Sequence, residues 1–203
     1  MQIKKIPNQL IMRNLTPLVL KNVNSIAFHH MAHKTWNVKD VEKCHVYTNR
    51  WDAIGYNYWI AFDGTIYEGR GFNKGAGVSG HNSHIISIGL QGDFESQTPT
   101  EAQYKSSREL VAFLTDKIPT IKNIGCHKDW NATACPGKNF DIKKITEYKE
   151  KPKELITVND IVWELSTRGI ITDKALWLKK LSEDTNAYWL ARKLTNYIIQ
   201  KGI

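Results

Sequence analysis

The sequence predicts an α/β region of about 147 residues, a short charged linker and a small all-α tail. Three observations carry this. Short apolar and aromatic runs, bounded by glycine-rich or polar stretches, recur up to about residue 127 with helical patterns between them. Around 147–156 the composition changes to EYKEKPKELI, charged and with little to bury. Beyond it the spacing is purely helical. The expected divisions are 1–147, a linker at 148–156 and a tail at 157–203.

The elements follow in order. The first 24 residues read as a lead-in of mixed character. Ser25–His30, SIAFHH, reads as a short apolar strand. Asn37 to about Tyr47 has Val38, Val41 and His45 on one side at helical spacing. Tyr56–Phe62 is rich in strand formers, Asp63-Gly64 signals a two-residue hairpin turn, and Thr65–Glu68 returns as its partner. Five glycines between Gly69 and Gly80 mark a loop, and Ile85–Gln91 a further strand. Thr100 caps a helix that runs to Lys117 and stops before Pro119, with Ala102, Leu110, Val111 and Leu114 inward. Residues 121–127 form a strand or loop leading into CHKDWNATACPG. In the tail, Thr157 and Asp160 form a capping box ahead of Ile161, Val162 and Leu165, and Gly169 closes that helix. Thr172 opens a second helix, with Ala175, Leu176 and Leu181. A third spans about Asn186–Gln200, with Ala187, Leu190, Ala191, Leu194 and Ile198 at helical spacing. Trp163, Trp177, Tyr188 and Trp189 exceed what so small a core requires; most are expected to pack.

Composition narrows the classes. With 41% hydrophobic and 24% charged residues the chain is globular rather than disordered. No apolar run approaches the ~20 residues of a transmembrane helix. The N-terminus starts basic but is broken by Pro7, Asn8, Gln9, Arg13, Asn14 and Pro17, so no secretory signal is expected. The net charge of +8 divides as 19 basic against 14 acidic residues in 1–150 and 9 against 6 in 151–203. That excess suits an anionic partner, whether nucleic acid, a membrane surface or an acidic wall polymer, and does not choose among them. No Lys/Arg-rich block or motif points to nucleic acid. Cys44, Cys126 and Cys135, odd in number and with no CxxC pair, argue against a disulfide framework.

Chemistry gathers at Ile124–Gly137, which holds His127 and Cys135, and at the strand end carrying His29, His30 and His33. Two imidazoles and a thiolate suit zinc and leave a fourth position open. A fold that brings His29 beside His127 and Cys135 would make such a site; a His–x7–Cys pair alone has no zinc-finger spacing. Tyr56 in a strand and Thr133 in a turn have structural readings too, core packing and turn capping. His30, His33, His45, His81 and His84 read as structural or surface residues, and Cys44 and Cys126 as buried thiols.

Four ordered blocks resemble the zinc-dependent N-acetylmuramoyl-L-alanine amidases, the family of small phage amidases and animal peptidoglycan recognition proteins. They are FHHMA at 28–32, WDAIGYNYWIAFDGTIYEGRGF at 51–72, SIGLQGDF at 87–94 and CHKDWNATACPG at 126–137. The resemblance implies a mixed central sheet flanked by helices, with zinc in a groove on one face. It assigns His29, His127 and Cys135 as the zinc ligands and Tyr56 as a catalytic tyrosine close to the metal. It places Thr133 where members carry a lysine or threonine that stabilises the transition state. The chain departs at Gly55-Tyr56-Asn57, where the family often has GYH, and at Gly75-Ala76-Gly77, where it often has GAH. His81 or His84 are candidates to replace that imidazole in part.

The tail resembles the helical C-terminal modules of endolysins from phages of clostridia, which implies cell-wall binding. Its small core also favours self-association through the C-terminal helices. The implied reaction is hydrolysis of the amide joining N-acetylmuramic acid to L-alanine in bacterial peptidoglycan. No HExxH segment supplies a helix-borne glutamate as base. A non-cutting recognition module and a host autolysin with the same chemistry are the alternatives. The filled ligand positions favour the enzyme. The lack of an export signal and the tail favour a phage lysin, held in the host cytoplasm until release to the wall.

Overall fold

β2 (Ser25–His30) and β5 (Ile85–Leu90) lie side by side at the heart of a six-stranded sheet, with every residue of both buried. They pair in parallel from Ser25↔Ile85 to His30↔Leu90. Strands covered on both faces read as continuous apolar runs rather than alternating ones, as these do. β3 (Tyr58–Ile60) runs parallel to β5 on the far side, β4 (Ile66–Glu68) antiparallel to β3, and β1 (Ile3–Lys5) parallel to β4 at one edge. β6 (Asn123–Cys126) runs parallel to β2 at the other edge. The sheet is therefore mixed, in the order β1-β4-β3-β5-β2-β6. The computed structural model describes residues 1–148 and 157–202. All but Tyr148 of the expected linker lies outside the described residues.

Helices cover both faces. α1 (Val38–Lys43) is capped by Asn37, whose side chain accepts the Lys39 and Asp40 N–H groups while Asp40 accepts from Asn37. The helix widens into a π-helical turn over Cys44–Thr48, and Val38, Val41 and His45 face inward as expected. α2 (Glu101–Lys117) begins at Thr100, with Gln103 completing the capping box. Its buried face is Tyr104, Leu110 and Leu114, while Ala102 and Val111 are only half-buried. Tyr58 and Ile60 join the cluster under α2 together with Phe28, and Trp59 joins the cluster under α1. That alternation follows the two-residue period of a strand.

Two expectations at the edges are corrected, and one helix lies where none was expected. The lead-in contains β1, which pairs with β4. The hairpin loop has three residues, Phe62–Gly64: Gly64 N–H donates to the Ala61 carbonyl and Ala61 N–H to Thr65. Gly64 sits at φ +84°, the left-handed position such a loop reserves for glycine. A short α3 (Lys143–Thr146) follows the last loop.

The chain divides into two compact units, Met1–Tyr148 and Lys149–Ile203. In the second, α4 (Val158–Thr167) carries the expected Thr157–Asp160 box. α5 (Lys174–Glu183) is capped by Asp173, one residue later than the Thr172 expected, and α6 (Thr185–Lys201) by Asp184. Ile161, Val162, Leu165, Ile171 and Leu181 form the core, with Trp177 and Tyr188 against it. Trp163 and Trp189 do not pack inward; they are 59% and 48% exposed. Among the described residues no helix is long and apolar enough to cross a membrane.

Candidate metal centre

Parallel pairing of β2, β5 and β6 puts their C-terminal ends at one edge of the sheet, where open α/β sheets form their binding crevices. The last β2–β6 pair is Phe28↔Cys126, so the next residues, His29 and His127, are level with each other. His29 points to the α1 face, beside Tyr56 at 5.3 Å between ring centroids. Its neighbour across β5 is Gly89, and a Cβ there would stand 2.6 Å from the Tyr56 ring. A glycine at this position is what lets the phenol lie next to the imidazole.

His127 opens a single turn, His127–Asp129, in which Asp129 accepts the Cys126 N–H at 2.7 Å. Cys135 returns from the following loop. Its carbonyl takes the Lys128 N–H, and its own N–H is accepted by the Thr133 hydroxyl at 3.2 Å. Gly137, at φ +99°, turns the chain away where a side chain would collide with the Phe94 backbone.

The fold thus gathers His29, His127 and Cys135, whose donor atoms all lie within 4.8 Å of one another. His29 Nδ1 is 3.7 Å from Cys135 Sγ, and the two imidazole centroids are 4.6 Å apart. Burial holds the His29 pKa well below its ordinary value, with His127 and His30 adding to the effect. Burial also lowers that of His127, against the opposing effect of a hydrogen bond to the Asn131 amide oxygen. Both rings are therefore neutral at pH 7 and have lone pairs to give. Burial pushes the Cys135 thiol up to about 12, so this sulfur needs a cation beside it to become a thiolate. His29 Nε2 is buried with no hydrogen-bond partner among the described residues. Two neutral imidazoles and a thiol waiting for a cation, within reach of one ion, are a donor set that fits zinc.

Above them lies a groove of about 440 Å³ lined by the three donors, Tyr56 and Thr133. The Tyr56 hydroxyl donates to the His30 carbonyl at a long 3.4 Å. Its burial raises the phenol pKa far above the usual range, so it remains a proton donor at any working pH. Thr133 both caps the turn and faces the groove, so the two readings of it are compatible.

His30 turns the other way and accepts the Phe94 N–H on Nδ1 at 2.9 Å. His81 and His84 face each other at 3.2 Å and do not line the groove. The Gly75-Ala76-Gly77 departure has a packing cause. A Cβ on Gly77 would lie 2.6 Å from Ser87 Oγ and 3.2 Å from His29 Nε2, which leaves no room for histidine. Among the groove's lining residues, sequence reasoning gave no such role to His45, Trp51, Asp93 and Glu95, nor to His30, Ala32 and Ala134. The helical spacing that pointed His45 inward was the signal available for it.

Residues 20–138, more than half of the chain, match the family model described as N-acetylmuramoyl-L-alanine amidase. Peptidoglycan-recognition protein SC2 of Drosophila simulans is 32% identical over 106 residues, covering 51% of this chain and 58% of that protein. The N-acetylmuramoyl-L-alanine amidase of Sus scrofa is 31% identical over 106 residues, covering 50% and 18%. The chain thus spans less than two thirds of the length of either relative. The solved structure of the endolysin N-acetylmuramoyl-L-alanine amidase LysCS from Clostridium intestinale superposes with a TM-score of 0.66 at 28% identity, covering 72% of this chain and 93% of that one. Peptidoglycan recognition protein-LE, solved in complex with a monomeric diaminopimelic acid-type peptidoglycan, superposes at 0.61 and 28%, covering 69% and 88%.

Proposed function

The chain belongs to the N-acetylmuramoyl-L-alanine amidase family, and from that premise we propose that it is a zinc hydrolase of peptidoglycan. The bond it cuts is the amide between N-acetylmuramic acid and L-alanine. The observation that carries this reading is the convergence of His29, His127 and Cys135 within 4.8 Å under a groove shared with a buried, protonated tyrosine. A recognition module that binds without cutting has no need of such a donor set.

His29, His127 and Cys135 would hold the ion. When bound, zinc supplies an acidified water and a Lewis acid for the scissile carbonyl. The remaining work falls to the chain. Hydrolysis of an amide builds negative charge on the carbonyl oxygen, and a preorganised donor there lowers the barrier. Tyr56 is such a donor: its proton is held by burial and, among the described residues, its hydroxyl is spent on a long bond to the His30 carbonyl alone. Thr133 accepts from Cys135 N–H and so keeps its own hydroxyl hydrogen for the groove. The groove walls orient the sugar and the peptide stem.

The protein in this reading is a phage endolysin, held in the host cytoplasm until lysis, whose helical tail targets the wall. Its likeness to the Clostridium intestinale endolysin supports this. So do the basic excess of 9 residues over 6 in 151–203 and the tail's outward Trp163 and Trp189, which suit an acidic, sugar-containing polymer.

The test is metal content measured with activity. The purified protein should carry one zinc per chain, and chelation should abolish wall hydrolysis. Cys135→Ser should lose both together. Full activity in a sample without bound metal would contradict the reading.

A further inference from the structure

Asn131 lies one turn beyond His127, its N–H donating back to the His127 carbonyl at 3.2 Å, so the two side chains rise on the same side. The Asn131 side chain touches two groups. Its amide nitrogen donates to the Ser79 carbonyl at 3.3 Å, and its amide oxygen lies 3.1 Å from His127 Nε2. A backbone carbonyl only accepts, so Ser79 decides which way the amide faces. The oxygen must then meet the imidazole, and an oxygen there only accepts. His127 Nε2 therefore carries the hydrogen, and Nδ1 keeps the lone pair.

We propose that Asn131 is a positioning residue that locks His127 in the Nε2–H tautomer, with Nδ1 free for the ion shared with His29 and Cys135. The same side chain ties this ligand through Ser79 to the Gly75–Gly80 loop, whose Ala76 and Gly77 line the groove. His29 has no equivalent support, since its Nε2 meets no hydrogen-bond partner among the described residues. The orientation of the pair thus rests on the His127 side. The inference depends on the zinc reading above. Outer hydrogen bonds to ligating histidines fix the tautomer and the ring orientation, and their loss typically weakens metal binding by about 10–100-fold.

Two measurements decide it, both independent of catalysis. Two-bond proton–nitrogen correlation spectra of the metal-free protein at mildly alkaline pH should show His127 as the Nε2–H tautomer alone. In Asn131→Ala a mixture should appear. Chelator competition with zinc alone should show binding weakened by about 10–100-fold in Asn131→Ala. Asn131→Asp, whose carboxylate still accepts from Nε2–H but cannot donate to Ser79, should keep the tautomer and recover most of the affinity. Metal-free melting midpoints of both variants should match the wild type, because Asn131 is half exposed. If Asn131→Ala fails to fold, Asn131→Asp decides alone, and an Nδ1–H tautomer or a mixture there overturns the proposal. Unchanged tautomer and affinity in Asn131→Ala also overturn it while the zinc reading stands. A wild-type chain that binds no zinc overturns both.

Discussion

Tyr56 and His45 stand in ring contact in the groove, and burial moves their pKa values in opposite directions. If the Tyr56 hydroxyl acts on the transition state, Tyr56→Phe should lower turnover on the order of a hundredfold. Stability should hardly change, because among the described residues the hydroxyl's one hydrogen bond is the long one to the His30 carbonyl. Steady-state kinetics with a melting curve separate the two effects, and a Phe variant within twofold of wild type would make Tyr56 a packing residue. His45 accepts the Gly55 N–H on Nδ1, and burial, helped by the Arg70 charge, lowers its pKa from 6.5 to about 4. Between those values the unfolded chain holds the extra proton, so stability rises with pH across this window and falls as pH drops through it. The full swing is worth about 3 kcal/mol. His45→Asn keeps an acceptor for Gly55 and titrates nothing. In urea unfolding at pH 7 and pH 4, it should lose less stability on acidification than the wild type by up to that amount; parallel losses would contradict the assignment. That His29, His127 and Cys135 belong together was legible only through the family blocks that carry them, because the His–x7–Cys spacing alone names no metal site. Asn131, Trp51 and Asp93 were not legible, because their roles exist only once β2, β5 and β6 bring distant loops to one edge.

At the scale of elements, legibility followed burial. β2, β5 and α2 bury whole faces, so apolar runs and the Thr100 cap announced them within a residue. β1 buries almost nothing and joins by backbone hydrogen bonds at an edge, which leaves no trace in side-chain pattern. The hairpin was announced by Asp63-Gly64, but its loop length depends on Phe62 leaving the ladder, which dipeptide chemistry does not encode. Thr172 and Asp173 are both good caps, and only geometry shows that it is the Asp173 carboxylate that accepts the Leu176 N–H. In α6 the apolar stripe is wider than the face the unit covers. Ala187, Ala191 and Ile199 pack, while Leu190, Leu194 and Tyr197, at i, i+4 and i+7, are exposed.

For the whole molecule, two compact units suggest a division of labour between cutting and holding. In the proposed reading, the exposed α6 stripe and the basic excess of the tail would serve holding. The isolated tail should coat walls of the target bacterium, and less so as salt rises, since part of the attraction is electrostatic. Sedimentation at several concentrations should show whether the exposed stripe also pairs copies of the tail. The first unit alone should keep zinc and cut soluble wall fragments but lyse whole cells less well. Intact whole-cell lysis after removal of the tail, with no wall binding by the tail itself, would assign it an assembly role instead. The central claim is the identity of the bond, and mass analysis of purified peptidoglycan after digestion reads it directly. The account predicts new free L-alanine amino termini with every glycan strand left uncut. New reducing sugar ends without new amino termini would show a glycosidase and contradict it.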